Sequence, residues 1–127
     1  MLVERFDKNP ILKPKSIHSW EAEAVFNGCP IKKDGKIYLI YRALSLPHYH
    51  APLKGLIPVS NIGIAVSKDG LDFHDRRLLV APEKAWEAFG CEDPRVTYFD
   101  GRYFIFYTAL SNYPNIRGYK NWSGHNW

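Results

Sequence analysis

Residues 34–44 read DGKIYLIYRAL, and residues 100–110 read DGRYFIFYTAL, the same phrase 66 positions later. Asp34 aligns with Asp100, Gly35 with Gly101, Tyr41 with Tyr107, Ala43 with Ala109 and Leu44 with Leu110. A repeat of this kind restricts the chain to architectures that stack copies of one supersecondary unit. In both copies Asp-Gly precedes a run of aromatic and aliphatic residues. Glycine accepts the positive φ of a type I′ turn, so each copy predicts a hairpin, with strands at 36–43 and 102–109. The runs before the turns, Val25–Ile31 and Arg95–Phe99, supply the partner strands.

The first copy continues into a second hairpin. Asn61–Ser67 alternates Ile62, Ile64 and Val66 with Gly63, Ala65 and Ser67. One face is therefore bulky, and the other is small enough for a sheet to approach closely. Asp69-Gly70 predicts a turn, and Arg76–Val80 a fourth, outer strand. Four antiparallel strands repeating at this interval predict an all-β chain of β-propeller blades. The first blade spans about 20–81, the second begins at 90–110, and residues 111–127 form an atypical tail, all within one partial propeller domain. The loop 45–60 and the segment 82–90 lengthen the unit beyond the usual propeller repeat of about 40–50 residues. Glu83, Trp86, Glu87 and Phe89 fit one helical turn before the second copy. Tyr38, Tyr41, Phe104, Phe106 and Tyr107 are assigned mostly to the core, although aromatic rings of this kind also stack on sugars.

The same residues exclude several functions. Net charge is only +4 and scattered along the chain, so no basic stripe for nucleic acid is expected. No apolar run approaches the length of a membrane span, and MLVERFDKNP has no apolar signal core, which predicts a cytoplasmic protein. Cys29 and Cys91 make no zinc spacing and are expected as free, small, buried or half-buried residues. His48 and His50 stand two apart in a proline-rich loop with no third ligand nearby, so neither a metal nor another cofactor is expected.

Gly90-Cys91-Glu92-Asp93-Pro94-Arg95 places two carboxylates and an arginine at the head of a strand. The 66-residue offset sets Asp93 opposite Asn27 and Arg95 opposite Cys29. In a propeller these positions line the central axis, where partial desolvation raises a carboxyl pKa and suits a general acid. The competing reading is structural: Glu92 and Asp93 form a turn and an ion pair with Arg95.

Six motifs occur in order: Asn9-Pro10-Ile11-Leu12, Trp20-Glu21, Val25-Phe26-Asn27, Tyr41-Arg42-Ala43, Ile62-Gly63-Ile64-Ala65 and Glu92-Asp93-Pro94-Arg95. Over residues 9–110 the series resembles glycoside hydrolase family 130, the β-mannoside phosphorylases and related β-mannosidases. The resemblance implies a five-bladed propeller that cleaves β-mannosides with inversion. It also implies Asp93 as general acid, with Asn27, Arg42, Glu92 and Arg95 at the sugar site. Members of the family usually carry an arginine just before the Ile-Gly strand. Here Ser60-Asn61 stand there, which removes one contact.

An inverting phosphorylase needs one catalytic carboxylate, because phosphate itself attacks. The reading is phosphorolysis of an oligosaccharide β-mannoside to α-mannose 1-phosphate, with inorganic phosphate as co-substrate. The alternatives are hydrolysis of the same bond, or a sugar-binding or assembly module without catalysis. About two blades leave apolar faces open, so self-association into a homo-oligomer is expected.

Overall fold

The computed structural model describes residues 2–111; of the tail expected at 111–127, residues 112–127 lie outside the described residues. Eight strands form: β1 Ala24–Lys33, β2 Lys36–Leu44, β3 His48–His50, β4 Gly55–Ile57, β5 Ser60–Ser67, β6 His74–Val80, β7 Gly90–Phe99 and β8 Arg102–Leu110. One 3-10 turn, Ala85–Glu87, precedes β7 where a helical turn is expected. No helix among the described residues is long and apolar enough to cross a membrane.

Both repeat turns have the backbone their residues dictate. Asp34 and Gly35 have φ of 49° and 70°, and Asp100 and Gly101 have 47° and 74°. Two consecutive positive φ values define the I′ turn, whose twist matches that of the strands it joins. Lys33 therefore pairs with Lys36, and Phe99 with Arg102. The repeat extends to an irregularity that hydropathy does not show. In β1 the register slips between Phe26 and Cys29, and in β7 it slips between Glu92 and Arg95. The bulged residues Asn27 and Asp93 both sit at φ 50°. A bulge inserts an extra residue and re-aims the side chains beside it.

β1, β2, β5 and β6 run antiparallel in that order, as the four-stranded blade predicts. The sheet as a whole is mixed, which corrects the all-antiparallel expectation: β7 meets β5 in a single parallel pairing, Ser60 with Gly90. The chain leaving β6 returns to the end where β5 starts, and Gly90 carries no side chain to hold the strands apart there. β7 then bends away into its own hairpin with β8. The loop 45–60 is also more ordered than expected, because β3 and β4 pair as a small separate hairpin.

The alternation in β2 and β5 sorts residues onto two packed faces. Ile40 and Ile62 pack with Cys91, flanked by Tyr38, Ile64, Val80 and Val96. Tyr41, Ala43 and Ala65 pack with Phe73, flanked by Trp20 and Leu39. The small side of β5 thus receives aromatic rings rather than a second sheet. A Cβ on Gly63 would lie 2.7 Å from Trp20 Cζ3 and 2.7 Å from Tyr41 Cζ. Gly63→Ala should therefore cost about 1–3 kcal/mol through overpacking. Urea denaturation checks this, and an unchanged midpoint would contradict the close approach.

Cys91 is buried and Cys29 half-buried, both as free thiols. Tyr41 is core as expected, but Phe104, Phe106 and Tyr107 are exposed, as are Tyr98 and Phe99. These rings lie on the β7–β8 hairpin, which has one full strand pairing and only a single bridge to the first sheet.

Candidate active site

The apolar face formed by Tyr38 and Ile40 ends in a charge. Arg42 follows Ile40 by two positions on β2, so its side chain leaves the same face, toward β7. Its Nη2 meets Glu92 Oε1 at 2.5 Å, and its Nε donates to Ser60 Oγ at 2.9 Å. Its Nη1 lies 3.4 Å from Asp93 Oδ1. The guanidinium carbon is 4.7 Å from the centre of the Phe26 ring, within range of a cation–π contact. Arg42 and Glu92 are both mostly buried, at 18% and 16% side-chain exposure, whereas Asp93 keeps 44%.

The two bulges meet across the strands. Asn27 Nδ2 donates to Asp93 Oδ1 at 2.6 Å, so the residues aligned by the 66-residue offset touch. Four of the five expected site residues, Asn27, Arg42, Glu92 and Asp93, form one cluster. Arg95 stands apart: it is exposed, and its Nη1 donates to the Pro94 carbonyl at 2.8 Å. The ion pair proposed between the two carboxylates and Arg95 is replaced by the pairing of both with Arg42.

The expected rise in the Asp93 pKa is reversed. The Asn27 amide, then the charges of Arg42 and Arg95, hold its carboxyl below the ordinary carboxylate range. Partial burial pushes the other way and loses, because the group is still nearly half exposed and donors face its ionised form. Cys91, two positions earlier on the strand, shows the opposite balance: burial, with Glu87 and Glu92 nearby, pushes its thiol up to about 11. That thiol is protonated at neutral pH and is a packing residue.

Three buried polar residues, one in the cluster and two outside it, have partners that the sequence does not show. Ser60 bridges Arg42 and Glu92, donating to Glu92 Oε1 at 2.9 Å. Glu21 is fully buried and accepts from Tyr41 Oη at 2.7 Å and Arg76 Nη1 at 3.3 Å, with His18 Nδ1 at 2.6 Å. His50 is buried, with Nε2 2.6 Å from the Ala88 carbonyl and its ring against Phe89. Trp20-Glu21 is visible as a motif, but its partners lie 20 and 55 residues away. No group of three or more metal-ligating side chains occurs among the described residues.

A sequence model of glycoside hydrolase family 130, described as beta-1,4-mannooligosaccharide phosphorylase, matches residues 2–120. The chain belongs to this family. A beta-1,2-mannobiose phosphorylase of Thermoanaerobacter sp. (strain X514) is 38% identical over 137 residues, which cover 95% of this chain and 44% of that protein. A solved beta-1,2-mannobiose phosphorylase from Listeria innocua, in complex with beta-1,2-mannobiose, superposes with a TM-score of 0.65. It is 25% identical, and the match covers 84% of this chain and 44% of that one. A further structure of the family is described among glycoside hydrolases that target beta-1,2 mannosidic linkages in Candida mannan. It matches with a TM-score of 0.64 and 28% identity, over 81% of this chain and 33% of that one. The chain spans less than half the length of these relatives. Family 130 proteins are five-bladed β-propellers, and the all-β arrangement of repeated hairpins here is of that kind.

Proposed function

We propose that this chain carries the acid side of an inverting β-mannoside phosphorylase, with Asp93 as general acid and Asn27, Arg42, Glu92 and Arg95 serving the sugar site. Residues 20–81 correspond to one blade and 90–110 to the start of the next. The observation that carries the reading is the meeting of the two bulges. A carboxylate is aimed outward from a strained backbone position, held by an amide and an arginine, and left open to solvent on its free side. A phosphate oxygen attacks the anomeric carbon on one face of the mannose ring. The glycosidic C–O bond breaks on the other face, and its oxygen takes the proton from Asp93. The products are α-mannose 1-phosphate and the shortened sugar, and no second carboxylate is required.

Asp93 must hold its proton when the sugar is bound. A bound sugar replaces the water on the exposed side of the carboxyl, which strengthens the desolvation that favours the protonated form. Arg42 is largely committed to Glu92 and Ser60, so its free direction is toward Asp93 and the sugar. The exposed aromatics of β7–β8 support association with further β-structure or a second copy.

The deciding experiment incubates the protein with β-1,2- and β-1,4-linked mannobiose, with and without inorganic phosphate. Phosphate-dependent release of α-mannose 1-phosphate is expected, from one linkage in preference to the other. Release of free mannose at equal rates with and without phosphate would replace phosphorolysis by hydrolysis, and no cleavage of either sugar would remove the enzymatic reading.

A further inference from the structure

We propose that Ser60 is a positioning residue, whose hydroxyl fixes the Arg42 guanidinium in the orientation that faces Asp93. The inference rests on reading Asp93 as the acid, but its geometry is independent of the substrate. Ser60 opens β5, pairs with Leu44 across one edge and with Gly90 across the other, and is only 2% exposed. Its Oγ accepts from Arg42 Nε and donates to Glu92 Oε1, both at 2.9 Å. Water has little access to replace either bond.

A guanidinium is planar and presents its donors in a fixed fork. Here the fork is held at two points, Nε on Ser60 and Nη2 on Glu92, and these fix where Nη1 points. With Nε released, the group can turn about its contact with Glu92, and the 3.4 Å approach of Nη1 to Asp93 is what changes. Phe26 supports the ring-facing side but supplies no direction within the plane. Asp93 is faced by Arg42 from β2 and by the uncharged Asn27 amide from β1. On its own strand it has Glu92 and Arg95. Ser60 touches two of these charges, Arg42 and Glu92, and of the two only Arg42 is bonded to Asp93.

The test follows the Asp93 carboxyl by 13C NMR through an acid titration of the wild type, Ser60→Ala, Ser60→Cys and Ser60→Thr. Circular dichroism confirms that each variant folds. In Ala and Cys the Asp93 midpoint should move up, because the arginine that favours the carboxylate is no longer held. Thr keeps the hydroxyl and should restore the wild-type midpoint. In mannoside cleavage kcat of Ser60→Ala should fall about ten- to a hundredfold, as misplacement near a reacting centre does. The limb of its pH profile that reports the acid should move in the same direction as the NMR midpoint. An unmoved midpoint in folded Ser60→Ala and Ser60→Cys overturns the proposal, as does an equal shift in Ser60→Thr. Absence of mannoside cleavage by the wild type refutes the functional reading alone, since the titration needs no substrate.

Discussion

Asp93→Asn should lower turnover on a mannoside with a poor leaving group by about 10²–10⁴-fold, the usual worth of a general acid. Activated aryl mannosides, whose leaving groups need little protonation, should lose much less. The substitution preserves shape and leaves an amide oxygen for the Asn27 donor, now 2.6 Å from Oδ1. It removes the charge facing Arg42, but Arg42 retains Glu92 and Ser60. The fold should therefore survive with a melting temperature close to that of the wild type. If Asp93 serves only to fix the bulge, the same variant should lose about 1 kcal/mol, typical of one hydrogen bond, and keep its rate. Melting temperature and turnover measured on one preparation separate the two, and unchanged turnover with a lowered melting point would remove Asp93 from catalysis. Asn27→Ala should act differently. It loses the amide donor that contributes most to holding the Asp93 pKa low, so the protonated form should persist to higher pH.

Glu21→Ala should be the most damaging single substitution for stability. The carboxylate is fully buried and joins three parts of the chain: His18 ahead of β1, Tyr41 on β2 and Arg76 on β6. Arg76 is 6% exposed, and its Nη1 also donates to the Lys13 carbonyl at 2.6 Å. Among the described residues its Nε has no hydrogen-bond partner, and the Glu21 charge is what compensates the buried cation. Removing one member of a buried pair typically costs about 3–5 kcal/mol, because the other charge is left without compensation. That is a large share of the roughly 5–15 kcal/mol that holds a domain folded. Tyr41→Phe, which removes one donor to the same carboxylate, should cost less, about 1.5–3 kcal/mol. Burial, then the bond to Glu21, pushes the Tyr41 hydroxyl well above its ordinary value, so it remains a donor throughout the neutral range. A raised folded value contributes stability below the ordinary pKa near 10, and that contribution is lost as pH rises further. Denaturant titrations at pH 7 measure the losses, and a Glu21→Ala midpoint within error of the wild type would exclude the hub role. Among the described residues none of these side chains is hydrogen-bonded to Arg42 or Asp93, so mannoside turnover of the folded fraction should be little changed.

The residues of the site are legible in the sequence to the extent that their chemistry is local or periodic. Asp-Gly sets two positive φ values wherever it closes a hairpin, so the turns at 34–35 and 100–101 follow from two letters each. Alternation in NIGIAVS fixes which residues share a face, and the 66-residue offset alone aligns Asn27 with Asp93. The amide–carboxylate contact between them is the physical counterpart of that alignment. What occupies the small face of β5 was not legible, because Trp20 and Tyr41 arrive from elsewhere in the chain.

Tertiary structure decided the rest. Ser60 reads as a small polar residue at a strand head, and nothing nearby in sequence marks it. Its role exists only because β2 and β5 pair in one register and β7 joins β5 at that same residue. The bulges are equally silent in hydropathy, yet they turn Asn27 and Asp93 toward each other. The sign of the Asp93 shift also could not be read from the chain. Partial burial and hydrogen-bond donors act on a carboxylate in opposite directions, and which prevails depends on distances of a few ångströms between residues 66 and 51 positions apart. Local preference determined the strands and turns of this protein. The balance of charge at its site was set by which strands lie side by side.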